Sequence, residues 1–260
     1  MVIILLTLFL AILPIYLIGN YYYKKDTVKE PKKLLQKLFF GGILSTIIVI
    51  IISIINFIVF PKYITTEGLN HFELLIYSFI FIALVEELAK WLVIYKIAYN
   101  HQDFDQYFDI ILYSVFVGLG FACLENILYV FTSETAFTIA ILRSITAVPG
   151  HACFQTYMGY YLGNSKFGDL KDSKKNKVLS ILIPIIIHGL YDYLLLSANY
   201  ILLIIYLIFI ITLFILTIKK IKKTVLLDEK NLSICPNCHI NIESNFCPNC
   251  GYQKTKKENS

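Results

Sequence analysis

The 260-residue sequence predicts an all-α, polytopic transmembrane helical bundle of about seven helices, followed by a small C-terminal cysteine-rich module. Three observations predict it. The chain is 57% hydrophobic and only 16% charged, with a mean hydropathy of +0.68, against roughly 45–50% and about 25% in an average soluble domain. Apolar runs of about 20 residues, enough to span a hydrocarbon core as a helix, recur along most of its length. Four of the six cysteines fall in two CxxC pairs, Cys235-Pro-Asn-Cys238 and Cys247-Pro-Asn-Cys250. A membrane barrel is excluded, because its strands alternate in polarity whereas Ile43 to Val59 is apolar on every side.

Taken in order, the apolar segments are 2–23, 38–60, 73–99, 108–132, 136–163, 178–197 and 199–218. The first is expected to be a true crossing and not a cleaved signal peptide: nothing basic precedes it, it is long, and Lys24 and Lys25 follow it. Lysines crowd the loop after segment one (Lys24 to Lys37), the loop after segment five (Lys166 to Lys177) and the stretch Lys219 to Lys223, whereas the alternate loops hold only Lys62. The positive-inside rule then places the N-terminus outside and the C-terminus in the cytoplasm of a multi-pass cell-membrane protein. The same rule accounts for the net charge of +5 without nucleic acid. Ser197 and Asn199 join the last two segments tightly, as in a helical hairpin. The expected organisation is a bundle over 1–222, a charged linker over 223–234, a metal-binding module over 235–252 and a disordered tail over 253–260.

The informative residues are ionisable side chains in mid-segment, each costing roughly 2.5–3.5 kcal/mol at a helix centre. They are Glu86, Glu87 and Lys90 in segment three, Glu125 with Asn126 in four, Arg143 and His151 in five, and His188 and Asp192 in six. Glu86 and Lys90 are four apart and share a helix face, as do His188 and Asp192. At about 1.5 Å per residue, Glu87, His151 and His188 lie at one depth, roughly 15–20 Å from the cytoplasmic ends of their helices. Glu125 works out deeper. Pro149 and Pro184 precede the two histidines, and a proline inside a helix kinks it; broken helix at membrane depth implies a cavity that satisfies the freed groups.

With these strings in view, EELAK (Glu86 to Lys90), FACLEN (Phe121 to Asn126), RSITAVPGH (Arg143 to His151) and HGLYD (His188 to Asp192) resemble the PrsW family of intramembrane proteases over roughly residues 70 to 195. That family is similar to the CAAX-processing and bacteriocin-processing membrane proteases. The resemblance implies a multipass bundle that cleaves a membrane-tethered protein, of which anti-sigma factors are the familiar example. It also implies that Glu86, Glu87 and His188 are essential, with His151 and Glu125 as further site residues.

The chemistry stands beside the family name. Peptide hydrolysis needs a deprotonated water, an oxyanion stabiliser and a proton for the leaving amine. Adjacent carboxylates in a low-dielectric site do not both ionise easily, which suits Glu86 or Glu87 to general-base duty. His151 and His188 either hold a catalytic Zn²⁺ or act directly as acid and oxyanion partner, and the sequence does not choose. Lys90, Glu125, Asn126, Arg143 and Asp192 are supporting residues, with Lys90 and Arg143 as charge partners of the carboxylates. HExxH, GxSG and GxGD are absent. The alternative is a non-enzymatic scaffold or transporter with a polar core, but a transporter should show two matching halves and none is visible.

Cys235, Cys238, Cys247 and Cys250 have the spacing of a zinc ribbon, four thiolates closing a tetrahedron around a structural Zn²⁺. So short a module has no apolar core, so metal binding supplies its folding energy. His239 is expected to be a bystander. Docking of a cytosolic protein suits the ribbon better than nucleic acid, despite Lys254, Lys256 and Lys257. Cys123 and Cys153 read as small core residues. Membrane lipids and a membrane-tethered protein substrate are the other expected partners.

Overall fold

The computed structural model describes residues 2–232, 234–235, 237–240, 247 and 249–252; the expected disordered tail lies outside them. The described chain is helical almost throughout. In order come α1 (Val2–Lys25), α2 (Lys32–Val59), α3 (His71–Ile76), a π-helical stretch (Tyr77–Leu84), α4 (Val85–Ile97), α5 (Tyr107–Thr132), α6 (Ala136–Ile145), α7 (Ala147–Phe167), α8 (Ser173–Leu196) and α9 (Tyr200–Leu232). Six stretches among the described residues are long and apolar enough to cross a membrane. The expected seventh is the run His71–Ile97, which the π-helical stretch divides into shorter pieces. The bundle of about seven helices and its multi-pass character therefore stand.

The first elements follow from local chemistry. The α3 start is a capping box, with the Asn70 side chain accepting from Glu73 N–H and the Glu73 carboxylate accepting from Asn70 N–H. A matching reciprocal pair of Gln106 and Asp109 opens α5. Asn199 Oδ1 accepts from Ile201 and Leu202 N–H, starting α9 after the tight turn from α8.

The core is built around α5, which packs on α1, α2 and α7 and has buried residues facing every direction, among them Phe108, Ile111, Tyr113, Leu119 and Phe121. Glycines let its neighbours approach at backbone distance. A Cβ on Gly42 of α2 would lie 2.0 Å from Val117 O, one on Gly120 would lie 1.9 Å from Phe39 O, and one on Gly159 of α7 would lie 2.5 Å from Ile111 Cα. Small residues at such crossings are how membrane helices gain packing without a hydrophobic drive between them.

Three expectations change. The charged residues 223–234 do not form a linker, because α9 continues through them to Leu232. Ile221, Thr224 and Asp228, at spacings of three and four, are buried against the bundle, while the lysines between them face outward. The Asp228 carboxylate accepts from Tyr107 N–H at 3.0 Å and Phe108 N–H at 2.8 Å, so the end of α9 caps α5. Pro149 does not kink a helix either. It sits in the first turn of α7, where its missing N–H is not needed, and the break falls before it at Thr146; the proline ring would clash with the carbonyl four residues back, that of Ile145. Pro184 does lie inside α8. Finally, α2 begins at Lys32, shortening the first loop.

Gly120→Ala should force α2 and α5 apart and cost about 1–3 kcal/mol, as overpacking does. Its thermal midpoint in detergent should fall by several degrees, whereas Gly19→Ala, whose Cβ meets only side chains at 3.4 Å or more, should melt with wild type. Asp228→Ala removes a helix cap worth about 1 kcal/mol; limited proteolysis should then cut within 219–232, which wild type should resist.

Candidate active site

The π-helical stretch delivers the first residues of the site. Its i→i+5 bonding adds a residue to the turn, and such stretches recur at functional sites. Immediately after it, α4 presents Glu86, Glu87 and Lys90, all buried. The Lys90 ammonium donates to Glu87 Oε1 at 2.8 Å and Glu86 Oε2 at 3.2 Å, and stands 4.0 Å from the centroid of the Phe121 ring. On α7, His151 Nδ1 lies 3.4 Å from the same ammonium. Lysine is only a donor, so His151 accepts at Nδ1 and donates from Nε2 to Glu125 Oε2 at 2.9 Å.

His188, on α8, has carboxylates at both nitrogens: Glu87 Oε1 at 2.9 Å from Nδ1 and Asp192 Oδ2 at 3.3 Å from Nε2. The Asp192 approach is an ion-pair contact and not an aligned hydrogen bond. Phe154 stacks on the His188 ring at 4.6 Å, and the two imidazoles meet edge to face at 5.5 Å. Arg143 Nη2 reaches Glu125 Oε2 at 2.7 Å, and Arg143 Nε donates to Asn126 Oδ1 at 2.8 Å. Asn126 itself turns toward α1, donating to Ala11 O.

Every mid-segment ionisable residue singled out from the sequence thus lies in one connected cluster, and Asn126 is its link to α1. Glu125 joins it although its axial depth appeared too great, because the His151 ring reaches outward to meet it. Sequence reasoning missed Gln155, which is fully buried and donates to Glu87 Oε2 at 2.7 Å. It also missed the aromatic walls Phe121 and Phe154. Gln155 stands four residues after His151, on the same face of a membrane helix, and that spacing could have found it.

One donor atom each from Glu86, Glu87, His151 and His188 lies within 4.8 Å of the others. Four carboxylates, Glu86, Glu87, Glu125 and Asp192, face only two permanent cations, Lys90 and Arg143. A set holding more carboxylates than permanent cations can accommodate a divalent ion. His151 also fits the way metal-binding histidines are usually supported, its Nε2 donating to Glu125 Oε2 and its Nδ1 left as an acceptor.

The four ribbon cysteines form the second such cluster among the described residues. Cys235 Sγ lies 3.5 Å from Cys250 Sγ, and Cys238 Sγ 3.5 Å from Cys247 Sγ, near the roughly 3.8 Å edge of a tetrahedron with ~2.3 Å Zn–S bonds. The two knuckles repeat one backbone pattern. Cys235 N–H donates to Ile240 O and His239 N–H to Cys235 O; Cys247 N–H donates to Tyr252 O and Gly251 N–H to Cys247 O. The fifth residue of each is left-handed, Gly251 at φ +75° and His239 at φ +56°, so His239 occupies the place a glycine fills in its counterpart. The Asn249 side chain beside its sulfur lowers the Cys238 thiol from its ordinary value, whereas at Cys250 the lowering by the Tyr252 backbone contact is outweighed by desolvation and the three neighbouring sulfurs, which raise that thiol.

Residues 30–217 match the family model described as PrsW family intramembrane metalloprotease. Among curated relatives, the "Protease PrsW" of Oceanobacillus iheyensis is 40% identical over 138 residues, 53% of this chain and 63% of that protein. That of Geobacillus kaustophilus is 43% identical over 122 residues, 47% of this chain and 53% of the relative. That of Clostridioides difficile is 34% identical over 165 residues, covering 62% and 68%. The chain thus matches between about half and two thirds of the length of these relatives. No solved structure matches it significantly. Since the matched span takes in the whole buried cluster from Glu86 to Asp192 and most of the bundle around it, the chain belongs to the PrsW family of intramembrane metalloproteases.

Proposed function

We propose that this protein is an intramembrane endopeptidase that hydrolyses a peptide bond in a membrane-tethered protein, with anti-sigma factors as the substrate class the family likeness suggests. The observation that carries the reading is the meeting of Glu86, Glu87, His151 and His188, from three helices, within 4.8 Å. Packing alone gives no reason to gather two carboxylates and two imidazoles inside a bilayer.

Glu86 is the general base. Glu87 is held on both oxygens by Lys90, His188 and Gln155, whereas Glu86 has only the Lys90 contact on Oε2 and a partly open side chain. Glu86 takes a proton from water as the water oxygen bonds to the scissile carbonyl carbon. It returns that proton to the amide nitrogen as the C–N bond breaks. Lys90 offsets the charge of the glutamate pair, Gln155 fixes Glu87, and Glu125 and Asp192 orient the imidazoles. If a divalent ion is bound, Glu87, His151 and His188 would hold it, and it would polarise the carbonyl and acidify the water.

Exposure supports a direction of access. Side chains of Glu86, Glu125, Arg143 and Asp192 are 10–18% exposed, against 0–4% for Glu87, Lys90, His151 and His188. Glu125, Arg143 and Asp192 lie toward the end bearing loops 133–135 and 197–199, away from the lysine-rich loops, and Glu86 sits mid-way along the run His71–Ile97. With those lysines cytoplasmic, the N-terminus is outside and substrate enters from the outer half of the membrane. The ribbon lies on the cytoplasmic side, holds a structural Zn²⁺ through Cys235, Cys238, Cys247 and Cys250, and serves to dock a cytosolic protein.

Glu86→Gln, Glu87→Gln and His188→Ala should each lower cleavage of a co-expressed single-pass substrate by about 100-fold or more while the protein stays in the membrane. Near-wild-type cleavage by all three would sink the catalytic reading. Metal analysis of the chain ended after Leu232 should find a bound divalent ion that His151→Ala and His188→Ala lose. Full activity without bound metal would leave the histidines as direct partners.

The ribbon should be separable from the chemistry, provided the cut spares α9. Ending the chain after Leu232, or Cys247→Ser with Cys250→Ser, should leave cleavage of a simple tethered substrate within about twofold. Ending it after Lys223 also removes the Asp228 cap and should destabilise the bundle by about 1 kcal/mol. Because thiolates must shed protons to bind metal, ribbon occupancy should fall as pH drops from neutral toward 5.

A further inference from the structure

A cavity lies on the face of α5 turned away from the glutamate–histidine cluster. Helices α1 and α2 each pack along α5 but make almost no contact with each other, leaving a slot of about 430 Å³ between them. Phe116, Leu119 and Cys123 of α5 form its floor. At about 100° per residue, Phe121 and Glu125 point roughly 200° away from Leu119 and Cys123, so the slot and the glutamate–histidine cluster occupy opposite faces of one helix. A scissile segment in the slot would not reach the cluster.

The shape of the slot selects its occupant. It runs along α1 from Ile12 to Tyr23, about 16 Å of helix and half of a ~30 Å hydrocarbon core. A transmembrane helix, needing the full thickness, does not fit this description; one acyl chain of one leaflet does. The end of the slot near the lysine-rich loops is lined by Asn20, Lys32 and Gln36. Among the described residues none of these three side chains has a protein hydrogen-bond or ion-pair partner. Lys29 differs, being spent on the α1 C-terminus through Tyr23 O, Lys24 O and Asp26 O. Lys32 also opens α2, whose N-cap, Pro31, makes no side-chain cap, so the helix dipole adds to the attraction for an anion.

We propose that this slot is a binding site for an anionic phospholipid of the lysine-side leaflet. One acyl chain lies between α1 and α2 on the α5 floor, and the phosphate is held by Lys32 with the amides of Asn20 and Gln36. The proposal is independent of proteolysis.

The test uses the full chain in nanodiscs of phosphatidylglycerol and phosphatidylcholine mixtures, with retained lipid counted by native mass spectrometry after extraction into detergent. Wild type should keep phosphatidylglycerol in preference. Lys32→Gln should lower that preference about fivefold, the contribution of one lysine near anionic lipid, without changing the thermal midpoint in lipid-free detergent. Gly19→Leu, which directs a side chain at Leu119 and Phe116, should abolish retention of both lipids. If Gly19→Leu fails to fold, Cys123→Phe fills the same floor and serves instead. Equal retention of the two lipids by wild type, unchanged preference in Lys32→Gln, or release of the lipid by inorganic phosphate alone would overturn the proposal.

Discussion

The Glu87–Lys90 pair, 2.8 Å apart with neither side chain exposed, is the constraint around which the bundle is arranged. Each charge alone would cost several kcal/mol in so dry a place, so neither can be there without the other. One carboxylate does not satisfy an ammonium with three donors, and Glu86, His151 and the Phe121 ring take up the rest of its surroundings. The second Glu87 oxygen in turn requires Gln155, and its partner His188 requires Asp192. Each polar group introduced at depth calls for another, until the chain of requirements ends at the more open Arg143, Glu125 and Asp192.

Bringing these groups together requires helices closer than large side chains allow. The glycine crossings of α2 and α7 on α5 meet that requirement, since backbone then rests on backbone and the side chains of neighbouring helices overlap. Regular helix is interrupted where the cluster is entered: the π-helical stretch precedes Glu86, and the Thr146 break precedes His151.

Helix α5 is therefore a partition with two uses. One face carries Phe121 and Glu125 into the buried cluster, and the other floors the slot between α1 and α2. Its first turn is capped by Asp228 from α9, which fixes the bundle to the helix that leads into the ribbon. The ribbon is thus approached by a docked helix and not by a free tether.

Hydropathy and periodicity are local properties, and what depends on them was readable in the sequence. The membrane class, the crossings, the cost of Glu86, Glu87, His151 and His188 at one depth, and the cysteine spacing all follow from residues and their neighbours along the chain. What depended on partners elsewhere in the chain was not readable. The charged run 223–234 has the composition of a linker, yet Thr224 and Asp228 within it, with Ile221 just before, find the bundle and keep the helix intact. Pro149 reads as a kink until the break one turn earlier makes its missing N–H harmless. Axial arithmetic set Glu125 apart from His151, because it measures backbone depth and ignores the reach of an imidazole. Gln155 carries no charge, so no desolvation cost marked it, and only the fold sets it 2.7 Å from Glu87. The slot exists only because two helices share a third without touching each other. Local sequence determined which groups needed partners, and tertiary packing, acting between residues far apart in the chain, decided which partners they found.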